Sequence, residues 1–258
     1  MSGGWATIGP DIVGTAQMEL DRRMAEATAI DGLYRLRLYH FDPPCLSLGH
    51  HQNPDEIDKE RCRERGITLA VRPTGGRAVL HKGDRVYSLS APDTGLKPGA
   101  HLHTGIYNLV ALALAKGLRS LGVDPDDAAR HLDVGADVDL PKLCFSSTTR
   151  HEITIGGKKL VGSAQRLLRN SVLQHGSLLI TREHLEVVEL LAGLEKKRRE
   201  RTMAALEART TCLEELGLQV EDGILVETFF RAFDEVFGPL NLVSNEEFES
   251  NLQLSLEG

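Results

Sequence analysis

The chain has 258 residues, of which 41% are hydrophobic and 26% are charged, a composition typical of a globular protein whose core needs neither disulfides nor a metal. The length fits one large domain, or one domain with a small appendage. The net charge of −7 argues against a general nucleic-acid-binding protein, because such proteins need a basic face to neutralise phosphates.

The sequence indicates a protein of the reducing cytoplasm. Its first residues, MSGGWATIGPDIVG, show neither the basic nor the apolar region of a signal peptide. No apolar run approaches the ~18 residues that span a bilayer, so no membrane association is expected. The cysteines are scattered without a CxxC pair and the histidines form no credible ligand set, so we expect no zinc site, other metal site or disulfide framework. The cysteines are Cys45, Cys62, Cys144 and Cys212.

The first half of the chain alternates between short helical and extended patterns. An amphipathic helix is predicted at 15–29, followed by a strand at 34–41. A short strand at 45–49 is expected to form a hairpin-like pair with the preceding one. A charged helix at 55–66 ends at a glycine. The strands predicted after this helix, around the turns PTGG and KGD, are 67–72, 77–81 and 86–92.

The second half begins with a predicted core helix at 101–122 and a loop-like stretch at 133–142. Gly156-Gly157 is a strong two-residue hairpin signal. It joins the two predicted strands 151–155 and 158–168, and a turn at 169–170 leads to the strand 171–180. The clearest helices beyond this point are 195–210 and 221–238.

Strands in the middle and helices at both ends predict an α+β fold, in which a mixed, mostly antiparallel sheet is flanked by helices. Residues 1–182 are expected to form the core of the domain. Residues 183–258 are expected to form a helical C-terminal extension packed on the same domain, since no linker marks the boundary.

The first candidate site is the stretch RPTGGRAVLH at 72–81. Paired glycines permit positive φ and a close approach of a ligand, and backbone N–H groups in such a turn can hold an anion or a carbonyl oxygen. A plain glycine hairpin with solvated arginines remains the alternative. The stretch matches neither the phosphate-binding GxxxxGK[ST] loop nor the GxGxxG fingerprint.

The second candidate site joins Cys144, in a polar loop, to a lysine on the following hairpin. Lys158 and Lys159 are neighbours on one strand, so their side chains point to opposite faces and only one is expected to face the interior. A nearby cation lowers the pKa of a thiol and makes it nucleophilic. The small residues of GSAQ at 162–165 permit close approach, and His175 lies on the next strand. The alternatives are a buried packing cysteine and a hydrogen-bonded, half-buried histidine.

Over about residues 33–180, the chain resembles the biotin/lipoate protein ligase superfamily. The resemblance is carried by two motifs at the spacing typical of that superfamily, RPTGGRAVLH…VYS and CF…EITIGGKKLVGSAQR…LQHGSLLI. Within it, the chain is most similar to the cysteine-dependent octanoyltransferases of the LipM type. Cys144 matches their acyl-accepting cysteine, Lys159 matches the superfamily lysine, and Arg77 replaces the third loop glycine of ATP-using ligases. Cys212 lies downstream of the lysine, where another octanoyltransferase branch has its cysteine, but its surroundings look helical. Val71 and Lys82 depart from the family pattern.

The resemblance implies a biotin/lipoate ligase-like catalytic domain that needs no cofactor. It implies transfer of an octanoyl group from acyl carrier protein to a lysine of a lipoyl domain, such as that of glycine cleavage H protein. Cys144 would carry the acyl group as a thioester and Lys159 would act as the catalytic cation. The substrate-binding residues implied are Arg72, Gly75, Gly76, Arg77, His81, Gly162, Ser163, Ala164 and His175.

Several alternatives stay open at this point. The chain is compatible with an ATP-dependent lipoate–protein ligase, with an octanoyl amidotransferase acting between lipoyl domains, or with an inactive scaffold that binds the carrier. Acyl carrier proteins are acidic, so an arginine patch is expected to dock the donor. The candidates for that patch are Arg72, Arg77, Arg166 and Arg169, or the run KKRRER at 196–201, which otherwise reads as a solvated helix face.

Overall fold

The computed structural model describes residues 3–93, 102–126 and 152–257, without the side chains of 102–104. Helices in these ranges are α1 (Gly14–Asp31), α2 (Lys59–Glu64), α3 (Leu102–Ser120), α4 (Lys196–Arg209), α5 (Asp222–Phe237) and α6 (Asn245–Glu257). Strands are β1 (Gly4–Ile8), β2 (Tyr34–Tyr39), β3 (Cys45–Leu48), β4 (Thr68–Val71), β5 (Val79–His81), β6 (Asp84–Pro92), β7 (Ile153–Ile155), β8 (Lys158–Leu168), β9 (Ser171–Leu179) and β10 (Leu240–Leu242). Short 3₁₀ helices occupy Pro54–Glu56 and Arg182–Leu190.

The described strands form two sheets. The larger sheet has seven strands in the order β10-β1-β2-β6-β9-β8-β7, and the smaller has three in the order β4-β3-β5. In the larger sheet β1 runs parallel to both neighbours, while every pairing from β2 to β7 is antiparallel. In the smaller sheet β3 is parallel to β4 and antiparallel to β5. The predicted α+β fold with a mixed, mostly antiparallel sheet is therefore confirmed.

Helices cover both faces of the larger sheet. Leu178 of β9 belongs to the hydrophobic cluster that includes α3 and α5. Leu173 of the same strand belongs to a second cluster, formed with α1 and α6. The two leucines are an odd number of residues apart, so they face opposite sides of the sheet. A third cluster joins the smaller sheet to α4 and the segment Arg182–Leu190.

The two tight turns predicted at 156–157 and 169–170 are present in the structure. Gly156 and Gly157 both have positive φ, 57° and 77°, and connect β7 to β8. Asn170, with φ 60°, lies in the turn between β8 and β9. Both tight hairpins are confirmed, because positive φ is accessible to glycine and tolerated by asparagine.

Three predictions about elements were wrong. The strand at 45–49 does not pair with β2, because Pro43 and Pro44 interrupt the connection and β3 instead forms the centre of the smaller sheet. The helix at 55–66 is divided into a 3₁₀ turn and α2, whose N-terminus is capped by Asp58. The region beyond 182 also contributes a strand, β10, to the larger sheet. The loop predicted at 133–142 lies outside the described residues.

Candidate active site

The glycine loop at 73–76 is held in place by the guanidinium of Arg72. Its Nε and Nη2 donate to the carbonyl of Gly75 at 3.1 and 2.9 Å, and Nη2 also donates to the carbonyl of Arg77 at 2.6 Å. Nη1 donates to the carbonyl of Ser47 at 3.0 Å. Arg72 is only 4% exposed, so its expected part in a surface docking patch is wrong. This buried arginine instead fixes the loop conformation.

Close backbone packing explains why glycines are needed around this loop. A Cβ on Gly49 would lie 2.0 Å from the carbonyl oxygen of Gly76. Gly76 itself has φ 92°, a conformation that side chains oppose. No atom lies within 4 Å of a Cβ built on Gly75. Gly49 was not predicted as a site residue, since it lies outside the recognised motif.

His81 belongs to a buried hydrogen-bonded chain below the loop. Its Nδ1 lies 2.8 Å from Asp84 Oδ2 and its Nε2 lies 2.9 Å from Ser47 Oγ. The carboxylate accepts from Nδ1–H, and the serine hydroxyl lies between Nε2 of His81 and Nη1 of Arg72, from which its oxygen accepts at 3.2 Å. The ring stacks on Phe41 with 4.3 Å between ring centres. His81 thereby supports the arginine that fixes the glycine loop.

His175 forms a second chain of the same kind. Its Nδ1 lies 3.1 Å from Asp21 Oδ2, and its Nε2 lies 2.6 Å from Oγ1 of Thr74 in the glycine loop. Burial opposes ionisation of Asp21, yet the hydrogen bond with His175 and the charge of Arg37 lower the pKa of this carboxyl. Burial lowers the pKa of His175 despite the neighbouring carboxylate. The imidazole is therefore neutral near pH 7 and accepts a hydrogen bond from the threonine hydroxyl.

The hydrogen-bonded networks of His81 and His175 border a narrow pocket between the smaller sheet, α1 and the strands β8 and β9. Its apolar wall consists of Met18, Tyr39, Phe41, Val79 and Val86. Six of the predicted substrate-binding residues line it: Arg72, His81, Gly162, Ser163, Ala164 and His175. The remaining three are not among the lining residues: Gly75 and Gly76 are in the loop that Arg72 fixes, and Arg77 directly follows it.

The GSA segment of β8 is built for close approach. A Cβ on Gly176 would lie 2.6 Å from the carbonyl oxygen of Gly162, so the facing strand has no room for a side chain there. Ser163 shares a 2.6 Å hydrogen bond with the hydroxyl of Tyr87, and its carbonyl accepts from the hydroxyl of Tyr107 at 3.0 Å. The packing of the two strands is therefore close along this segment, and hydrogen bonds hold this wall of the pocket in place.

Lys159 lies on β8 before the pocket-lining segment and is 1% exposed. Its ammonium forms a hydrogen-bonded ion pair with the carboxylate of Glu152, which is also buried. The adjacent Lys158 is only half-buried, and its Nζ donates to the carbonyl of Glu207 at 3.3 Å. The prediction that one lysine faces the interior is confirmed. Glu152 was missed, because an acidic residue before a hairpin carries no distinctive sequence signal.

Cys144 lies outside the described residues, and so does the polar loop after it. The three cysteines within the described ranges are free and buried. Burial raises the pKa of Cys45 to about 12, and it also raises the pKa of Cys62 and Cys212. Cys212 follows the end of α4 in a non-helical turn, not in a helix as predicted. None of these three thiols has the exposed, cationic setting of a nucleophile.

Two candidate surfaces for a partner occupy different places. Arg166 and Arg169 border an open groove with α1, and Arg166 Nη1 also donates to the carbonyl of Pro73 at 2.7 Å. The run at 196–201 begins α4, where most of its side chains are exposed.

In the described ranges, no three His, Cys, Asp or Glu side chains cluster as a metal site. None of the described helices has the length and apolar content required to cross a membrane.

Comparison with known proteins identifies the family. The model of the lipoyl protein ligase A/B catalytic domain matches residues 14–238. The chain belongs to this family. It is 39% identical over 210 residues to a Moorella thermoacetica protein named octanoyltransferase LipM, covering 78% of this chain and 74% of the relative. A protein of the same name from Carboxydothermus hydrogenoformans is 29% identical, with 90% and 86% of the two chains covered.

Solved structures agree on the fold. The bi-partite lipoate protein ligase of Thermoplasma acidophilum, studied together with its E2 lipoyl domain, superposes with a TM-score of 0.74. The alignment covers 100% of this chain and 93% of that chain, at 20% sequence identity. At this identity the likeness shows the lipoate ligase-like fold alone.

Proposed function

We propose that this chain is an acyltransferase that moves an octanoyl group from acyl carrier protein to a lysine of a lipoyl domain. The observation that carries the proposal is the narrow apolar pocket next to the strand of Lys159, in a chain 39% identical to an octanoyltransferase LipM. The Thermoplasma ligase studied with an E2 lipoyl domain supports a lipoyl domain as acceptor. The reaction would take place in the cytoplasm, where thiols stay reduced.

The proposed reaction has two acyl-transfer steps. The thiolate of Cys144 attacks the thioester carbonyl, a new sulfur–carbon bond forms, and the carrier sulfur leaves as a thiolate that takes up a proton. The ε-amine of the acceptor lysine then attacks the acyl-enzyme, an amide forms, the amine loses a proton, and the Cys144 thiolate is regenerated. Two easier displacements replace one slow aminolysis. The raised pKa values of the three buried cysteines support Cys144 as the nucleophile.

Lys159 would supply the positive charge in both steps. Its ammonium is already removed from water and held by Glu152, so little reorganisation is needed when negative charge develops on the carbonyl oxygen. Such preorganised groups usually contribute more in a water-excluded site than they would in solvent. Lys159 would also favour the ionised form of Cys144.

The pocket would hold the acyl chain. Burial of an eight-carbon chain at ~0.8 kcal/mol per methylene yields up to ~6 kcal/mol, which anchors the substrate without help from a nucleotide. The apolar side chains of Tyr39, Phe41 and Val86 would contact the methylenes. The glycine loop, held by Arg72 and by the chain through His175, would form one wall.

The test is intact-protein mass spectrometry after incubation with octanoyl-acyl carrier protein. One octanoyl adduct is expected on the wild-type chain, located on Cys144 by peptide mapping, and none on Cys144→Ser. Cys212→Ser serves as the matched control and should acquire the adduct, since its thiol is buried with a raised pKa. Absence of the adduct from the wild-type chain, or full turnover by Cys144→Ser, would refute the covalent route. Modification of a lipoyl domain only with ATP and free acid would instead establish a ligase.

A further inference from the structure

Two cavities of different size meet at Met18. The narrow pocket has a cavity volume of about 30 Å³. The second cavity, the outer groove, is open and has a volume of about 870 Å³; α1, Arg166, Arg169 and Ser171 line it. Met18 and Arg72 line both cavities. These two side chains therefore form the partition between the pocket and the groove.

The order of residues along the sheet shows which end of the pocket this partition closes. On β8, Lys159 comes first, Gly162 and Ala164 line the pocket, and Arg166 lines the outer groove. On the antiparallel neighbour β9, His175 lines the pocket and residue 171 lines the groove. The pocket thus lies between Lys159 and the groove on both strands.

Within the proposed function, this order fixes the direction of the acyl chain. The thioester carbonyl must lie at the Lys159 end, so the methyl end of the chain points towards the outer groove. Residues 162–164 span about 7 Å of an extended strand, which is close to the about 9 Å length of a fully extended octanoyl chain. The partition therefore lies where the last carbons of an octanoyl chain would be.

The two parts of the partition differ in mobility. Arg72 is fixed by hydrogen bonds to the carbonyls of Gly75, Arg77 and Ser47. Met18 is only 8% exposed and packs against apolar neighbours that include Tyr39, Phe41 and Val86. Methionine is unbranched and adapts its shape to the available space. A smaller side chain at position 18 would therefore open the partition, and a larger one would thicken it.

We infer that Met18 closes the methyl end of the acyl pocket and determines the length of the acyl chain that the enzyme accepts. This inference rests on the proposed function. Met18→Ala would join the pocket to the outer groove, so that chains longer than octanoyl pass the partition. Met18→Phe would thicken the partition and favour shorter chains. Neither change touches Lys159.

The test compares kcat/KM for hexanoyl, octanoyl, decanoyl and dodecanoyl carrier proteins. Met18→Ala is expected to raise the ratio of decanoyl to octanoyl kcat/KM about tenfold or more, the discrimination that one or two methylenes carry in an apolar pocket. Met18→Phe should raise the ratio of hexanoyl to octanoyl. Met24→Ala is the matched control: Met24 is buried on the same helix but packs in the cluster with α6, so its ratios should equal those of the wild type.

The outcomes separate the inference from the proposed function. A wild-type chain that transfers no octanoyl group contradicts the proposed function itself. If the wild type transfers octanoyl while both Met18 variants keep its chain-length profile, the inference is overturned and the function stands. Should Met18→Ala fail to fold, Met18→Phe still decides, because an unchanged hexanoyl-to-octanoyl ratio in that folded variant contradicts the assignment.

Discussion

Lys159 and Glu152 form an ion pair that is almost completely removed from solvent, with side-chain exposures of 1% and 5%. Charges buried together are stable only while both are present, because either one alone has lost its hydration without compensation. The pair holds β8 to the chain segment that precedes β7. The proposed function assigns the positive charge of this pair to the reaction centre.

Removal of one partner of this pair should be costly. Glu152→Gln is expected to lower the free energy of unfolding by about 3–5 kcal/mol, the usual cost of removing one member of a buried ion pair. Urea denaturation followed by circular dichroism measures this change. The matched control is Glu235→Gln, which removes the exposed ion pair with Lys116 and should leave the denaturation midpoint unchanged. Equal midpoints for both variants would contradict a stabilising role of the buried pair.

The two adjacent lysines should differ sharply in their effect on catalysis. Lys159→Met is expected to lower kcat for octanoyl transfer about 10²–10³-fold, the typical loss when one preorganised electrostatic group is removed. Lys158→Met should retain the activity, since that side chain is half-exposed and donates only to a carbonyl near α4. Rates must be normalised to folded protein, measured by circular dichroism. A loss of less than tenfold in folded Lys159→Met would contradict the assigned role.

The hydroxyl of Thr74 should matter for substrate binding more than for the chemical step. Thr74→Val keeps the shape of the side chain but leaves the buried His175 without its 2.6 Å partner. An orphaned buried polar group costs about 1–3 kcal/mol, so the glycine loop should loosen and KM for the octanoyl donor should rise about fivefold or more. Steady-state kinetics tests this expectation. Thr74→Ser restores the hydroxyl and is expected to keep KM near the wild-type value; a raised KM in both variants would refute the hydrogen-bond explanation.

Stability should fall on acidification because of His175. Burial lowers the pKa of this imidazole in the folded protein, while the unfolded chain keeps the ordinary value of about 6.5. Below that pH the unfolded state takes up a proton that the folded state does not, so folding loses up to about 1.4 kcal/mol per pH unit until the folded pKa is reached. The lowered pKa of Asp21 acts in the same direction, but in a more acidic range.

Urea denaturation between pH 5 and 7.5 measures this dependence. His175→Gln should be less stable than the wild type at pH 7 and show a shallower slope. Some slope should remain, because burial also lowers the pKa of His184. His51→Gln, at an exposed position, is the control and should keep the wild-type slope. An unchanged slope in His175→Gln would show that this histidine does not titrate between the two states in that range.

The sequence predicts the local parts of the site better than the contacts between distant parts. The glycine loop, the GSA segment and both pocket histidines are contained in short motifs whose residue types are unusual enough to recognise. Their supporting partners are not. Asp21 lies 154 residues from His175. The sequence around Asp21, on an amphipathic helix, contains no pattern that predicts its buried hydrogen bond with this histidine.

The same limit explains the errors in the fold. Turn residues specify a hairpin locally, so β7–β8 and β8–β9 were predicted correctly. The partner of β3 is decided by packing with strands later in the chain, and a short apolar stretch after two prolines gives no sign of it. Arg72 was expected at the surface because arginine usually is. It is buried because three carbonyls of surrounding loops and strands accept its hydrogen bonds.

The parallel pairing of β1 with β10 has a consequence for how the protein is made. Residues 4–6 of β1 pair with residues 240–242 of β10, so this side of β1 has no strand partner until β10 has left the ribosome. Unpaired strand edges readily recruit other extended segments. A nascent chain of this protein is therefore expected to expose this edge of β1 to other extended segments until β10 has been synthesised.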